Sequence, residues 1–247
     1  MISEIKNEKV KKGVSYKDTS YEIEKKRPFM AILPIGSLEQ HGGHLPVSTD
    51  TIIAERVAEK IADYFNAYLL PPIPYSISLE HEEKISTIAI SPPLLFRIVV
   101  EIARSLKSHG FKCLVIVNGH GGNFILRNAT RWINYRIKLL TILIDLTGMY
   151  FGERFSKDVH AGRIETSLML YLAPELVKRE FIVDAVPSVP RDYLDYKPLT
   201  RISSSGVWGE AKKSTPEEGK ALFEQLVNTA INEIEKILKY TNTNISY

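Results

Sequence analysis

Apolar residues fall along this chain in two kinds of order, unbroken runs and four-residue stripes, and their alternation predicts the fold. Phe29-Met30-Ala31-Ile32-Leu33-Pro34-Ile35 is apolar throughout. A run that short, without polar interruption, suits a strand covered on both faces. From Thr51 to Phe65 the period changes. Ile53, Val57, Ile61 and Phe65 recur at helical spacing and predict one buried stripe. Tyr68-Leu69-Leu70, ended by Pro71-Pro72, predicts a short strand. Pro92 to His109 predicts a helix, with prolines in its first turn and Gly110 as its stop. Lys112 to Val117 predicts a strand, Asn123 to Lys138 a helix, Leu139 to Ile144 a strand, and Glu165 to Leu172 a short helix. The pattern lapses over residues 182–213, where Pro187, Pro190, Pro198 and a serine run predict irregular loop. Thr215-Pro216-Glu217-Glu218 then opens a last helix with a cap residue, a first-turn proline and two acids at the positive end of the helix dipole. Its apolar face is Leu222, Leu226, Ile231, Ile234 and Leu238.

Strands alternating with helices imply βαβ units, an α/β fold with a parallel sheet and helices on both faces. Residues 1–27 are polar and lysine-rich and predict a loosely docked extension with room for one short helix. Residues 28–247 then form a single domain. The 247-residue length allows this. Apolar content of 44% and charged content of 25% are those of an ordinary soluble protein. The single cysteine, Cys113, lies inside an apolar run and is expected to be a small buried hydrophobe, not a nucleophile. No apolar run approaches a membrane span and no signal-peptide pattern is present, so a cytoplasmic location is expected and a membrane partner is not. The net charge of +3 is no nucleic-acid footprint. All of it comes from residues 1–27, and the remaining chain balances.

The chemistry concentrates in three polar segments, each placed after a predicted strand. Glu39-Gln40-His41-Gly42-Gly43-His44 follows the first long strand, with Asp50 just downstream. Asn118-Gly119-His120-Gly121-Gly122-Asn123 follows the second. His160-Ala161-Gly162-Arg163-Ile164-Glu165 lies beyond the third. In a parallel sheet all three sit at the carboxyl edge, where ligands bind. Carboxylates and imidazoles are the donors that hold borderline divalent metals. Glu39 and His41, two apart, point the same way in extended backbone. Asp50 reads as metal ligand or helix cap, and Glu165 as ligand or dipole partner. His120, between glycines, suits a close ligand. His44 reads as a residue that orients ligands or touches substrate, or as a loop histidine packed on Pro46. Glu80-His81 is a further polar loop near the same edge, either solvated or in contact with substrate. His109, at a helix end, reads as structural.

The motifs Pro34-Ile35-Gly36-Ser37-Leu38-Glu39-Gln40-His41-Gly42-Gly43-His44, Val117-Asn118-Gly119-His120-Gly121-Gly122-Asn123 and His160-Ala161-Gly162-Arg163-Ile164-Glu165-Thr166-Ser167 resemble those of the creatininase (creatinine amidohydrolase) family. Ser205-Gly206-Val207-Trp208-Gly209-Glu210 continues the match. The resemblance implies a three-layer α/β/α fold with a mainly parallel, Rossmann-like sheet. It implies a binuclear centre: Glu39, Asp50 and His120 on one ion, His41, Asp50 and Glu165 on the other, with Asp50 bridging. It also implies homo-oligomers, a hexamer built as a trimer of dimers or a dimer. Gly122 stands where some creatinine hydrolases carry an acidic ligand, which places that burden on Glu165. Val159 stands where they carry a catalytic glutamate, and residues 147–159 lack their enclosing tryptophans. These departures favour deformylase-like relatives over true creatinine hydrolases. Arg163, basic where many relatives have an acid, is expected to favour a phosphate-bearing substrate.

The expected reaction is hydrolysis of a C–N bond other than a peptide bond, in a small formamide or cyclic amide, by a hydroxide bridging two divalent ions (Zn, Mn or Fe). His160 is the expected acid/base, and His44, Glu80, His81, Gly121 and Asn123 the expected substrate contacts. A formamidopyrimidine-nucleotide deformylase fits this description. The alternatives are creatinine hydrolysis and a non-catalytic module that binds a small ligand in the same cleft.

Overall fold

The computed structural model describes residues 13–149 and 157–241. Its elements run β1 (Val14–Ser15), α1 (Ser20–Lys26), β2 (Met30–Ile35), α2 (Thr49–Phe65), β3 (Tyr68–Leu69), α3 (Pro92–Ser108), β4 (Cys113–Asn118), α4 (Ile125–Trp132), β5 (Leu140–Asp145), α5 (Leu146–Met149), α6 (Arg163–Leu172), β6 (Asp184–Ala185), α7 (Leu199–Ile202), β7 (Gly209–Glu210) and α8 (Pro216–Tyr240). Five strands form one sheet in the order β1-β3-β2-β4-β5. Every pairing in it is parallel. β2 and β4 are its centre and pair from Met30 opposite Cys113 to Ile35 opposite Asn118.

The two faces of the sheet explain the unbroken apolar runs. Met30 and Ile32 of β2 and Cys113, Val115 and Val117 of β4 pack with α2, α6 and α8. The alternate residues, Ala31, Leu33, Ile35, Leu114 and Ile116, pack with α3 and α4. A period of two sends successive side chains to opposite layers, so both must be apolar. The result is a three-layer α/β/α arrangement. Cys113 has no exposed surface, and burial pushes its thiol up to about 12. That is the inert state expected of it.

Three local predictions need correction. The helix predicted over Asn123–Lys138 is α-helical only at Ile125–Trp132 and widens into a π turn at Ile133–Ile137. Within that turn the Asn134 side chain both donates to and accepts from the Thr141 backbone at 2.8 Å, tying the turn to β5. Residues 182–213 are not wholly irregular, since β6 and β7 pair antiparallel and two short helical turns lie between them. Of the predicted extension, residues 13–27 join the fold. β1 adds an edge strand beside β3, and Thr19 with Glu22 forms a capping box at α1. No helix among the described residues is long and apolar enough to cross a membrane.

Candidate metal centre

Asp50 reaches the middle of the carboxyl edge because two glycines let α2 approach it. A Cβ on Gly36, after β2, would stand 2.3 Å from the Thr51 nitrogen. One on Gly119, after β4, would stand 2.5 Å from the Asp50 carbonyl. Any side chain at either position would push the start of α2 off the sheet. Asp50 is the second residue of that helix and does not cap it; Ser48 holds the cap position and makes no side-chain cap bond. The Asp50 carboxylate instead accepts from Ser37 Oγ at 2.8 Å and lies 3.1 Å from His41 Nε2 and 3.0 Å from His120 Nδ1.

Around it the other segments converge. Ligand atoms of Glu39, Asp50 and His120 lie within 4.8 Å of one another, as do those of His41, Asp50 and Glu165, and those of Glu39, His41 and His160. The backbone orients three of the imidazoles. His41 Nδ1 donates to the Glu39 carbonyl at 3.1 Å, His120 Nε2 to the Ile77 carbonyl at 2.6 Å, and His160 Nε2 to the Gln40 carbonyl at 2.7 Å. Spending one N–H on a carbonyl fixes the tautomer and turns the other nitrogen's lone pair toward the carboxylates. That pair needs a proton or a cation. Burial depresses the His41 imidazole, but Asp50, Glu165 and Glu39 outweigh it and push it up to about 10. His120 moves the same way, against burial, through Glu39 and Asp50. Asp50 is held well below the carboxylate range despite its burial, chiefly by His41 and His120. Glu165 is raised to about 8 by burial, with Asp50 adding to the shift.

Glu39 tests whether this set suits cations. It has no exposed surface, and neither carboxylate oxygen has a hydrogen-bond partner. Imidazoles surround it at 3.3 Å from His120, 3.4 Å from His81 and 3.6 Å from His160. A buried carboxylate without hydrogen bonds costs several kcal/mol. Divalent ions between these groups would remove that cost, so the donor set fits a metal centre.

The structure sorts the remaining expectations. Glu165 sits in the first turn of α6, where its Oε2 accepts from the Ala161 N–H at 2.5 Å and lies 3.8 Å from His41 Nε2. His81 is buried, not solvated, because Gln40 Nε2 donates to its Nδ1 at 2.9 Å and turns Nε2–H toward Glu39. Glu80, His81, Gly121, His160 and Glu165 line a common cavity of about 50 Å³. Glu80 Oε1 would stand 2.7 Å from a Cβ on Gly122, so a carboxylate occupies the space which that glycine leaves open.

His44, expected to orient ligands or touch substrate, is held by α6. It has no exposed surface, and its Nε2 bonds Thr166 Oγ1 at 2.9 Å. Asn123, expected as a substrate contact, is committed within the fold: its donors go to Gly36 O and Asn118 Oδ1 and its oxygen accepts from Ile77 N–H. Arg163 is not directed at a ligand; it pairs with Glu218 at 2.7 Å and ties α6 to α8.

Three residues escaped sequence reasoning. Gln40 joins His81 to the Gly206 carbonyl, Asp158 accepts from the first two N–H groups of α6, and Trp208 pairs its backbone with His160. Gln40 and Trp208 had a signal as members of the first and fourth motifs.

Comparisons with known proteins agree with this geometry. The family model for creatininase (creatinine amidohydrolase) matches residues 17–234. A mycofactocin precursor peptide peptidase of Mycolicibacterium smegmatis is 32% identical over 219 residues, covering 84% of this chain and 85% of the relative. A creatinine amidohydrolase of Pseudomonas putida is 28% identical over 230 residues, covering 83% and 88%. A 2-amino-5-formylamino-6-ribosylaminopyrimidin-4(3H)-one 5'-monophosphate deformylase of Methanocaldococcus infernus is 26% identical over 220 residues, covering 85% and 92%. Among solved structures, one titled "Creatininase Mn" superposes with a TM-score of 0.78 at 24% identity, covering 91% of this chain and 98% of that one.

Proposed function

Because this chain belongs to the creatininase (creatinine amidohydrolase) family, whose members are metal-dependent amidohydrolases, we propose that its buried carboxylate–imidazole cluster holds two divalent ions and serves hydrolysis of an amide C–N bond. Glu39, Asp50 and His120 would hold one ion, and His41, Asp50 and Glu165 the other. The observation that carries this is the doubly unpartnered, fully buried Glu39 carboxylate in the midst of three imidazoles. Bound there, the metal pair supplies a water made nucleophilic at neutral pH and a Lewis acid for the carbonyl oxygen. The mixed N/O donors suit Zn, Mn or Fe.

The chain's own groups do the rest. His160 is held neutral by burial, with His81 and His41 adding to the depression. Its Nε2–H is committed to the Gln40 carbonyl, so Nδ1 is the atom that takes a proton and passes it to the leaving nitrogen. His81 steadies the Glu39 carboxylate. Gly121 lines the cavity, and its missing side chain leaves room for the Arg191 guanidinium.

The cavity is small, which suits a formamide or cyclic amide end group and with it the deformylase-type reaction. A second reading, cleavage of a peptide bond, is favoured by the 32% identity to the precursor-peptide peptidase. Elemental analysis of the purified chain and of Asp50→Ala tests the core proposal, followed by turnover of a panel of formamides, cyclic amides and short peptides. Stoichiometric metal and amide hydrolysis in wild type, both absent in D50A, are expected. Full metal content and activity in D50A would sink the assignment. Homo-oligomeric assembly belongs to the same proposal and is read by sedimentation.

A further inference from the structure

Three hollows meet at one side chain. The chamber over the cluster, about 50 Å³, has room for only a few water-sized bodies. Only the reacting end of a substrate can enter it. Two larger recesses adjoin it, of about 610 Å³ and about 400 Å³. Gly121 and Arg191 line all three. The guanidinium lies close over the glycine: Nη2 would stand 2.6 Å from a Cβ on Gly121. Arg191 opens the short turn Arg191–Asp195, so a planar cation stands beside the neighbour of His120.

The recesses differ in charge. The larger is edged by Glu80, Asp192 and Asp195 as well as Arg191. The smaller is edged by Arg127 of α4 and Arg191. Its acid, Asp145, already accepts from Asn118 Nδ2 at 3.2 Å and from Thr147 Oγ1 at 2.8 Å. An anion thus meets two guanidinium groups against the one hydrogen-bonded carboxylate of Asp145 in the smaller recess, and one guanidinium against three carboxylates in the larger. Planar guanidinium donors match the paired oxygens of a carboxylate or a phosphate.

We propose that the smaller recess is an oxyanion subsite, in which Arg191 and Arg127 hold a carboxylate or phosphate that the substrate carries away from its scissile amide. This deepens the amidohydrolase reading and rests on it for the identity of the bound molecule as a substrate. Arg191 is then a specificity-determining residue, selecting anionic over neutral amides by binding.

The test is calorimetric titration of the metal-loaded full chain with inorganic phosphate and with acetate, beside Arg191→Gln, Arg191→Lys and Arg127→Gln. The expected result is anion binding that weakens about tenfold or more in R191Q, less in R191K, and measurably in R127Q. Equal affinities in wild type and R191Q, which is what anions held only on the metals would give, overturn the proposal, as does no binding at all. Turnover of matched pairs identifies the source of the charge. One pair is a phosphorylated formylaminopyrimidine and its dephosphorylated form; the other is a short peptide and its C-terminal amide. The pair whose charged member wild type prefers about tenfold or more, with that preference lost in R191Q, names the group. Failure of the amidohydrolase reading looks different: no member of either pair is hydrolysed, while the phosphate titration still responds to R191Q.

Discussion

Glu39 concentrates the energetics of the site in two oxygen atoms. Buried among imidazoles without a hydrogen bond, its charge is tolerated through the partners it attracts. Glu39→Gln keeps the shape and removes the charge. A cation bound at a hundredfold excess over its Kd adds about 2.7 kcal/mol to folding stability. If E39Q weakens binding about tenfold, that gain falls to about 1.4 kcal/mol. The expected outcome is therefore a smaller rise in Tm on adding Mn²⁺ to E39Q than to wild type, read by differential scanning calorimetry. An equal rise in both would remove Glu39 from the ligand set. His160 gives a contrasting prediction. His160→Asn should retain metal, since Glu39, His41, Asp50, His120 and Glu165 remain, while kcat falls roughly 10²- to 10⁴-fold. Loss of metal along with activity would make His160 a ligand, a role its place beside Glu39 and His41 allows by distance.

Helix α6 delivers Glu165, and its position depends on α8. A Cβ on Gly219 would stand 1.8 Å from the Ser167 carbonyl, so the two helices touch backbone to backbone. Arg163 with Glu218, and Ser167 with Thr215, stitch the same contact. Gly219→Ala must therefore part the helices. Overpacking of this kind costs typically about 1–3 kcal/mol. The denaturation midpoint of G219A should fall by that measure. Metal affinity should fall as well, because Glu165 moves with α6. Unchanged affinity in a destabilised G219A would show that Glu165 is positioned by its bond to Ala161, not by the helix pair.

At the scale of the whole molecule, buried histidines link stability to pH. Burial, with the neighbouring His41, lowers His44 to about 4 from an ordinary 6.5. The unfolded chain thus binds a proton at His44 more readily than the folded one. The contribution of His44 is complete above about pH 6.5, is lost as pH falls toward about 4, and is level below that. The size is on the order of 3 kcal/mol at most. His81 and His160, also depressed by burial, act in the same direction. His41 acts oppositely: raised to about 10, its contribution is present below pH 6.5 and disappears as pH rises through about 10. Glu165, raised to about 8, opposes the depressed histidines by gaining stability as pH falls toward 4.5, but the three of them outnumber it, and the metal-free chain should lose Tm between pH 6.5 and pH 4. His44→Gln should flatten that fall relative to wild type. A slope unchanged by H44Q would mean that His44 stays uncharged in the unfolded chain or charges without cost when folded.

Sequence alone was enough for the features that repeat a local rule. Unbroken apolar runs became the central strands, four-residue stripes became α2 and α8, and three polar segments after strands landed at one edge, because a parallel sheet puts every strand end on the same side. The donor types at Glu39, His41, Asp50, His120 and Glu165 pointed to metal chemistry, and the folded chain brings their ligand atoms together in groups of three that could hold an ion. What required the folded chain were relations between residues far apart in sequence. Gln40 is an unremarked amide until His81, His160 and Gly206 surround it, and His44 reads like His41 until Thr166 closes over it. Arg163 and Arg191 are equivalent cations on paper. Only three-dimensional packing sets one against Glu218 and the other over Gly121, since nearest neighbours in space are chosen by helix and loop placement and leave no trace in spacing along the chain.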